Sequence, residues 1–148
     1  MTPYPSLKER YLSTLFDLIV LTVFVIVLTI ALQGADRTLM VFRVTLGLLV
    51  IANYGPLLTS KACTVGQAVV GIRVRSHDDR SQRVSLGRAY FRSLVKLLLG
   101  GYSFFAMGFN SERRAVHDFA SDSIVLTSAV AKSAQALMEP ARSRARLE

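Results

Sequence analysis

Two long apolar runs, close together near the N-terminus, constrain this chain more than any other feature. From Leu12 to Leu32 there are 21 residues with one charge, Asp17. At 1.5 Å per residue a helix of that length measures about 30 Å, the thickness of a bilayer's hydrocarbon core. Leu, Ile, Val and Phe fall on every side of it. A helix that is apolar all round needs lipid or deep burial, and 148 residues supply no soluble core able to enclose it. The second run, Leu39 to Leu58, has 20 residues interrupted by Arg43 and Asn53, and Gly55-Pro56 predicts a kink or an end. The polar turn Gln33-Gly34-Ala35-Asp36-Arg37-Thr38 joins the two runs, which predicts an antiparallel pair of transmembrane helices. The first run is too long, and too closely followed by the second, for a cleaved signal peptide. Ser6, with Glu9 three residues later, predicts a capped start for the first helix.

Composition agrees with lipid. Charged residues make up 19% of the chain, below the roughly 25% of soluble domains. A net charge of +8 on a soluble domain would suggest nucleic acid. Here the cations flank apolar runs, so anionic lipid headgroups are the expected partner and nucleic acid is not. Cys63 is the single cysteine, which excludes an intrachain disulfide or a cysteine-rich metal site.

Past residue 60 the pattern changes. Ile72-Arg73-Val74-Arg75 alternates with period two, predicting a strand with one wet face. His77-Asp78-Asp79-Arg80 reads as a turn and Gln82 to Val84 as a short return, together a small cytoplasmic β-hairpin. Ser85 is placed to cap a helix from Leu86, in which Arg88, Arg92 and Lys96 recur every four residues as one basic stripe. That pattern predicts an amphipathic interfacial helix with those three cations toward lipid headgroups. Residues 97–109 are apolar around Gly100-Gly101. Counted from Phe91 the segment is long enough to span if Lys96 snorkels; otherwise it re-enters. Residues 127–148, rich in Ala, Ser and Arg, are expected as a weakly structured tail, a loose helix or disorder. No internal repeat is visible.

Charge placement predicts orientation. Lys8 and Arg10 precede the first run, and eight basic residues lie between Lys61 and Lys96 against Asp78 and Asp79, while the turn has Arg37 beside Asp36. The excess of Lys and Arg places the N-terminus and the middle segment in the cytoplasm of a multi-pass inner-membrane protein. Arg113 and Arg114 follow the third apolar segment, which favours re-entry over crossing.

Asp17 lies inside the first run, where lipid makes a carboxylate expensive. It is either an ion or proton site or one half of a structural charge pair, and a single carboxylate near a membrane edge favours the pair. Arg10, seven residues earlier, shares its helix face. Asn53 can bridge helices by a hydrogen bond, or join Asp17 in a polar pocket. Arg43 needs only to snorkel. His117-Asp118 has no serine motif, matching histidine or paired carboxylate around it. HExxH, phosphate-loop and CxxC patterns are missing as well, so neither an enzyme, a cofactor nor a metal is expected.

These residues resemble a family. Arg10-Tyr11-Leu12-Ser13-Thr14-Leu15-Phe16-Asp17 is similar to the Arg and first Asp of the RDD family. Thr64-Val65-Gly66-Gln67, followed by Gly71-Ile72-Arg73-Val74, looks like its middle motif, with Val65 and Gln67 where Pro and Lys are usual. Ser85 to Arg92 matches the next stretch. Arg113-Arg114-Ala115-Val116-His117-Asp118 resembles the closing Arg…His-Asp, making Asp118 the second Asp; Ala120-Ser121-Asp122 then departs from the usual Ala-Gly-Thr. The resemblance covers residues 8–126, read as one membrane domain, and implies three membrane segments. Transport has been proposed for such proteins.

The expected architecture is therefore an α-helical integral membrane protein: a helix pair, a hairpin, a basic helix and a third spanning or re-entrant segment. The expected charge cluster is Arg10, Asp17, Asn53 and Asp118, with Arg10 bridging to Asp118 or Asp17. Two functions stay open. One is a non-catalytic scaffold or accessory subunit of a membrane complex. The other is an oligomeric, cation- or proton-coupled transporter using Asp17, since one protomer has too few helices to enclose a pathway. Either implies a homo-oligomer or a membrane-protein partner.

Overall fold

The structure is a computed structural model that describes residues 3–33 and 36–144. Gly34 and Ala35 of the expected turn, and residues 145–148 of the tail, lie outside the described residues. Two helices, α1 (Leu7–Ala31) and α2 (Arg37–Lys61), are each 25 residues long, and both are long and apolar enough to cross a membrane. The rest of the chain covers almost none of their apolar length, so neither is the core helix of a soluble domain. Tyr54 meets Asp17, and a Cβ on Gly47 would lie 3.8 Å from Leu28, which sets the pair antiparallel. Ser6 caps α1 in a reciprocal box with Glu9. Pro56 sits inside α2, which continues to Lys61, so the expected end at Gly55-Pro56 is not where the helix stops.

A short helix α3 (Val65–Val70) follows, capped by Thr64 and Gln67. Gly71, at φ 75°, turns it into β1 (Ile72–Ser76), a left-handed conformation that favours glycine. Next come α4 (Leu86–Leu99), a 3-10 helix (Gly100–Gly108), α5 (Val116–Ala120), β2 (Ser123–Thr127) and α6 (Ser128–Arg144).

The strand at 72–75 forms, but the expected hairpin partner does not. β1 pairs antiparallel with β2, Ile72 opposite Thr127 and Ser76 opposite Ser123. The return at 82–84 makes one backbone contact, Ser76 N–H donating to the Gln82 carbonyl at 3.1 Å. Hydrophobicity decides the competition. Ile124, Val125 and Leu126 give β2 a continuous apolar run that is almost fully buried, as suits a strand covered on both faces, whereas Gln82-Arg83-Val84 offers one apolar residue. The wet face expected of β1 is also mostly covered, with Arg75 buried.

The sheet closes a small core of Ile72, Val74, Val84, Ala89 and Val125 on one side, and Ile124, Leu126 and Ala131 on the other. Thr127 N–H donates to the Pro3 carbonyl, tying the N-terminal segment to the same sheet. The segment expected as a weak tail runs on as α6. Its alanines favour helix, and Ala131 is fully buried against the sheet.

The segment from α4 to the 3-10 helix leaves and returns at one place. Near its start Arg88 reaches Ser76 and Asp122; just past its end Glu112 meets His77 at 3.1 Å and Arg80 at 2.9 Å. Both ends thus meet the Ser76–Ser123 end of the sheet. A segment crossing a bilayer would place its ends some 30 Å apart.

Candidate functional site

Most of the residues singled out in the sequence assemble around two carboxylates, the buried Asp118 and the half-buried Asp17, where α1 meets the sheet module. Asp118, on α5, is wholly buried. Arg10 Nη1 forms an ion pair with its Oδ2, to which Ala115 N–H also donates at 3.1 Å. Arg92 Nε donates to Oδ1 at 2.9 Å, and His117 Nε2 lies 3.4 Å from the same oxygen. Arg10 also donates from Nη2 to the Arg113 carbonyl at 2.7 Å. Burial alone would raise the Asp118 carboxyl, but the Arg92 and Arg10 guanidinium groups outweigh it and hold the group well below the usual carboxylate range. Of the two partners expected for Arg10, the structure places it on Asp118.

Asp17 makes the second node. Its Oδ1 accepts from Tyr54 O–H at 3.0 Å and Gly66 N–H at 2.7 Å; its Oδ2 accepts from Thr64 O–H at 2.7 Å. The middle motif now has a physical account. Thr64 caps α3 and holds Asp17 with the same hydroxyl. Gly66 lets α3 press onto α1: a Cβ there would fall 1.9 Å from the Ser13 carbonyl oxygen and 2.9 Å from Asp17 Cγ. Val65 is the first helical residue, the position proline also suits, and its N–H donates to Tyr54 O–H at 3.1 Å. Gln67 is buried, closes the capping box and reaches Thr59, so the side chain that replaces lysine is turned inward.

Asn53 belongs to neither node. Its amide donates to the Leu49 carbonyl at 2.6 Å, and its oxygen accepts from Tyr90 O–H on α4. The neighbouring Tyr54 takes the place beside Asp17, because a tyrosine one position on is long enough to reach across to α1. Asn53 therefore bridges helices, the other role open to it, but α2 to α4.

The stripe Arg88, Arg92, Lys96 needs a larger correction. Arg92 turns inward to Asp118. Lys96 Nζ donates to Thr14 O–H at 3.0 Å. Arg88 is half-exposed, pairing with Asp122 at 3.3 Å. The helix is amphipathic in the opposite sense: Leu94, Leu97 and Leu98 are exposed, and the apolar surface continues through Tyr102, Phe105 and Phe109. A buried carboxylate attracts a guanidinium more strongly than a hydrated headgroup does.

Between the nodes lies a polar cavity of about 30 Å3, whose lining includes Arg10, Thr14, Asp17, Arg92, Lys96 and His117. His117 is fully buried; its Nδ1 lies 2.5 Å from Ser103 Oγ, and Phe104 meets the ring edge-on. Burial, then Arg92, pushes this imidazole down to about 3, outweighing the pull of Asp118. Tyr54, Thr64, Gly66 and Ser103 were not singled out as site residues. Only for Thr64 and Gly66 did the sequence hold a signal, in the motif that carried the resemblance.

The family model of the RDD family matches residues 4–122, most of the chain. This protein belongs to the RDD family. No curated protein and no solved structure matches it.

Proposed function

We propose that this RDD-family membrane protein is a non-catalytic scaffold or accessory subunit of a membrane complex, multi-pass in the inner membrane with its N-terminus cytoplasmic. One observation carries the reading. All four oxygens of Asp17 and Asp118 are engaged by donors from four elements and two loops, the arrangement of a clamp rather than of a group that exchanges an ion. The segment 86–110 re-enters, its ends meeting on the cytoplasmic side and its apolar ridge in the bilayer. The exposed cations Lys8, Lys61 and Arg83 face anionic headgroups there, and the uncovered flanks of α1 and α2 receive a second copy or a membrane-protein partner.

The polar cavity beside Asp17 favours a second reading, an oligomeric transporter of a cation, proton or small solute. Proteoliposome flux of wild type and Asp17→Asn separates the two. Flux at the protein-free background in both supports the scaffold. Flux above background in wild type that Asp17→Asn abolishes overturns it in favour of transport.

A further inference from the structure

The alternation of β1 sets Arg73 and Arg75 on one side of the strand. Beside the strand, Ser76 N–H donates to the Gln82 carbonyl at 3.1 Å, and Val84 packs with Val74 in the core of the opposite side, so Arg83 falls on the side of Arg73 and Arg75. Arg75 is 6% exposed, Arg73 is half-buried and Arg83 is exposed. The side-chain hydrogen bonds of the strand pair go to uncharged oxygens. Arg73 Nη1 donates to the Ile72 carbonyl at 3.0 Å, and Arg75 Nη2 to Gln135 Oε1 at 3.2 Å. Arg75 Nε is buried without a hydrogen-bond partner. Other arginines of the module are paired, Arg80 with Glu112, Arg88 with Asp122 and Arg92 with Asp118. Among the described residues no carboxylate pairs with Arg73, Arg75 or Arg83. Burial first, then Arg83 and Arg73, push the Arg75 guanidinium below its ordinary value. A buried cation without a counterion is strongly destabilising, and the unpartnered Nε adds to that.

An oxyanion seated among them would supply both the missing charge and the missing acceptor. The planar fork of arginine matches phosphate and carboxylate alike, and the number of acceptor oxygens decides between the two. Arg73 and Arg75 leave one strand about 7 Å apart, and Arg83 leaves a segment about 5 Å to the side. Guanidinium groups at that spacing offer more donors than the two oxygens of a carboxylate take up, whereas a phosphate group presents three or more. We propose that Arg73, Arg75 and Arg83 form a binding site for one phosphate group, carried by an anionic phospholipid or free in solution. The site lies outside the Asp17–Asp118 clamp and does not depend on whether the chain scaffolds or transports. Its lipid form rests on the reading that Arg83 meets the headgroups; its soluble form does not.

The test uses the full chain in maltoside micelles, which carry no phosphorus, at constant ionic strength. Inorganic phosphate is the first probe, read by phosphorus NMR linewidth. Wild type broadens the phosphate signal beyond empty micelles. Arg73→Gln and Arg83→Gln, at positions exposed enough to keep the fold, each weaken the affinity about tenfold or more. Arg37→Gln, at the far end of α2, leaves it unchanged. Phosphatidylglycerol is the second probe, offered with an equal amount of phosphatidylcholine and read by native mass spectrometry. Wild type retains phosphatidylglycerol in preference, Arg73→Gln and Arg83→Gln lose the preference, and Arg37→Gln keeps it. A response to phosphate without a lipid preference assigns the site to free phosphate, and the reverse assigns it to the headgroup. Neither response, or responses that survive either substitution, overturn the proposal and leave the cytoplasmic placement of the sheet module untouched.

Discussion

Asp118→Asn is the perturbation that most directly tests how this fold is held. Asp118 has no solvent exposure, Arg10 is 4% exposed and the Arg92 side chain 12%. The substitution keeps the shape and removes the charge. Two buried guanidinium groups lose their counterion, and the amide presents one acceptor oxygen where there were two. Removing one partner of a buried pair costs about 3–5 kcal/mol, a large part of the roughly 5–15 kcal/mol that holds a folded domain. Arg92→Gln leaves Arg10 in place and takes away one charged hydrogen bond, so it costs less, about 1.5–3 kcal/mol. Exchanging the charges, Arg10→Asp with Asp118→Arg, does not rescue, because the new guanidinium at 118 meets Arg92 and the Ala115 N–H. The informative measurement is a double-mutant cycle of Arg10→Met and Asp118→Asn, read by denaturant unfolding in mixed micelles. The coupling expected for residues in direct contact is about 0.5–3 kcal/mol, here toward the upper end because both are buried. Asp118→Asn within about 0.5 kcal/mol of wild type, or a coupling indistinguishable from zero, would refute the clamp.

Gly66→Ala places a methyl 1.9 Å from the Ser13 carbonyl oxygen, so α3 must separate from α1. A loss of at least the roughly 1–3 kcal/mol of an overpacked core is expected in the same unfolding assay, and wild-type stability would show that the close approach is wrong. Acid should destabilise the fold through His117. Its folded pKa is depressed from 6.5 to about 3, so its stabilisation is complete above about pH 6.5 and falls as pH drops toward 3, by up to about 1.4 kcal/mol per pH unit. His117→Asn should flatten that slope, and an equal slope in the variant assigns it to other groups. Cysteines at Gly87 and Ser111, both exposed, in a Cys63→Ser background should be protected together from an outside thiol reagent in intact cells; labelling of one alone would mean that the segment crosses.

The apolar runs, the capped start of α1 and the strand at 72–75 could be read directly, because each rests on local pattern. The ion pair of Arg10 with Asp118 was open to the motifs but not to spacing, since 108 residues separate the two. What local pattern could not reach was competition between distant partners. Gln82-Arg83-Val84 was a reasonable return strand until Ser123–Thr127, far along the chain, offered more apolar surface. The basic stripe of α4 has the right period for an interfacial helix, yet periodicity gives the faces without saying which one turns inward. The fully buried Asp118 settles that, and it lies on another helix. Asn53 and Tyr54 are adjacent and both polar-tipped; side-chain reach alone decides which of them finds Asp17.

The placement of the charges follows from what lipid withholds. Two apolar helices gain little hydrophobic free energy by meeting inside a bilayer, so their association needs close packing or polar contacts. Here Gly47 permits a near approach to Leu28, and Tyr54 to Asp17 is the side-chain hydrogen bond that joins α1 to α2 among the described residues. The same carboxylate also holds Thr64 and Gly66, so one group fixes α1 to α2 and both to α3. Arg10, two turns nearer the N-terminus on almost the same face, then fixes α1 to α5 and, through Asp118, to α4. Both charges lie in the first half of α1, where their partners are supplied by protein. A charge placed deeper would face hydrocarbon, and one placed further out would be hydrated and weak. That narrow depth accounts for an arginine and an aspartate set two turns apart at the start of one helix, answered by a second aspartate a hundred residues later.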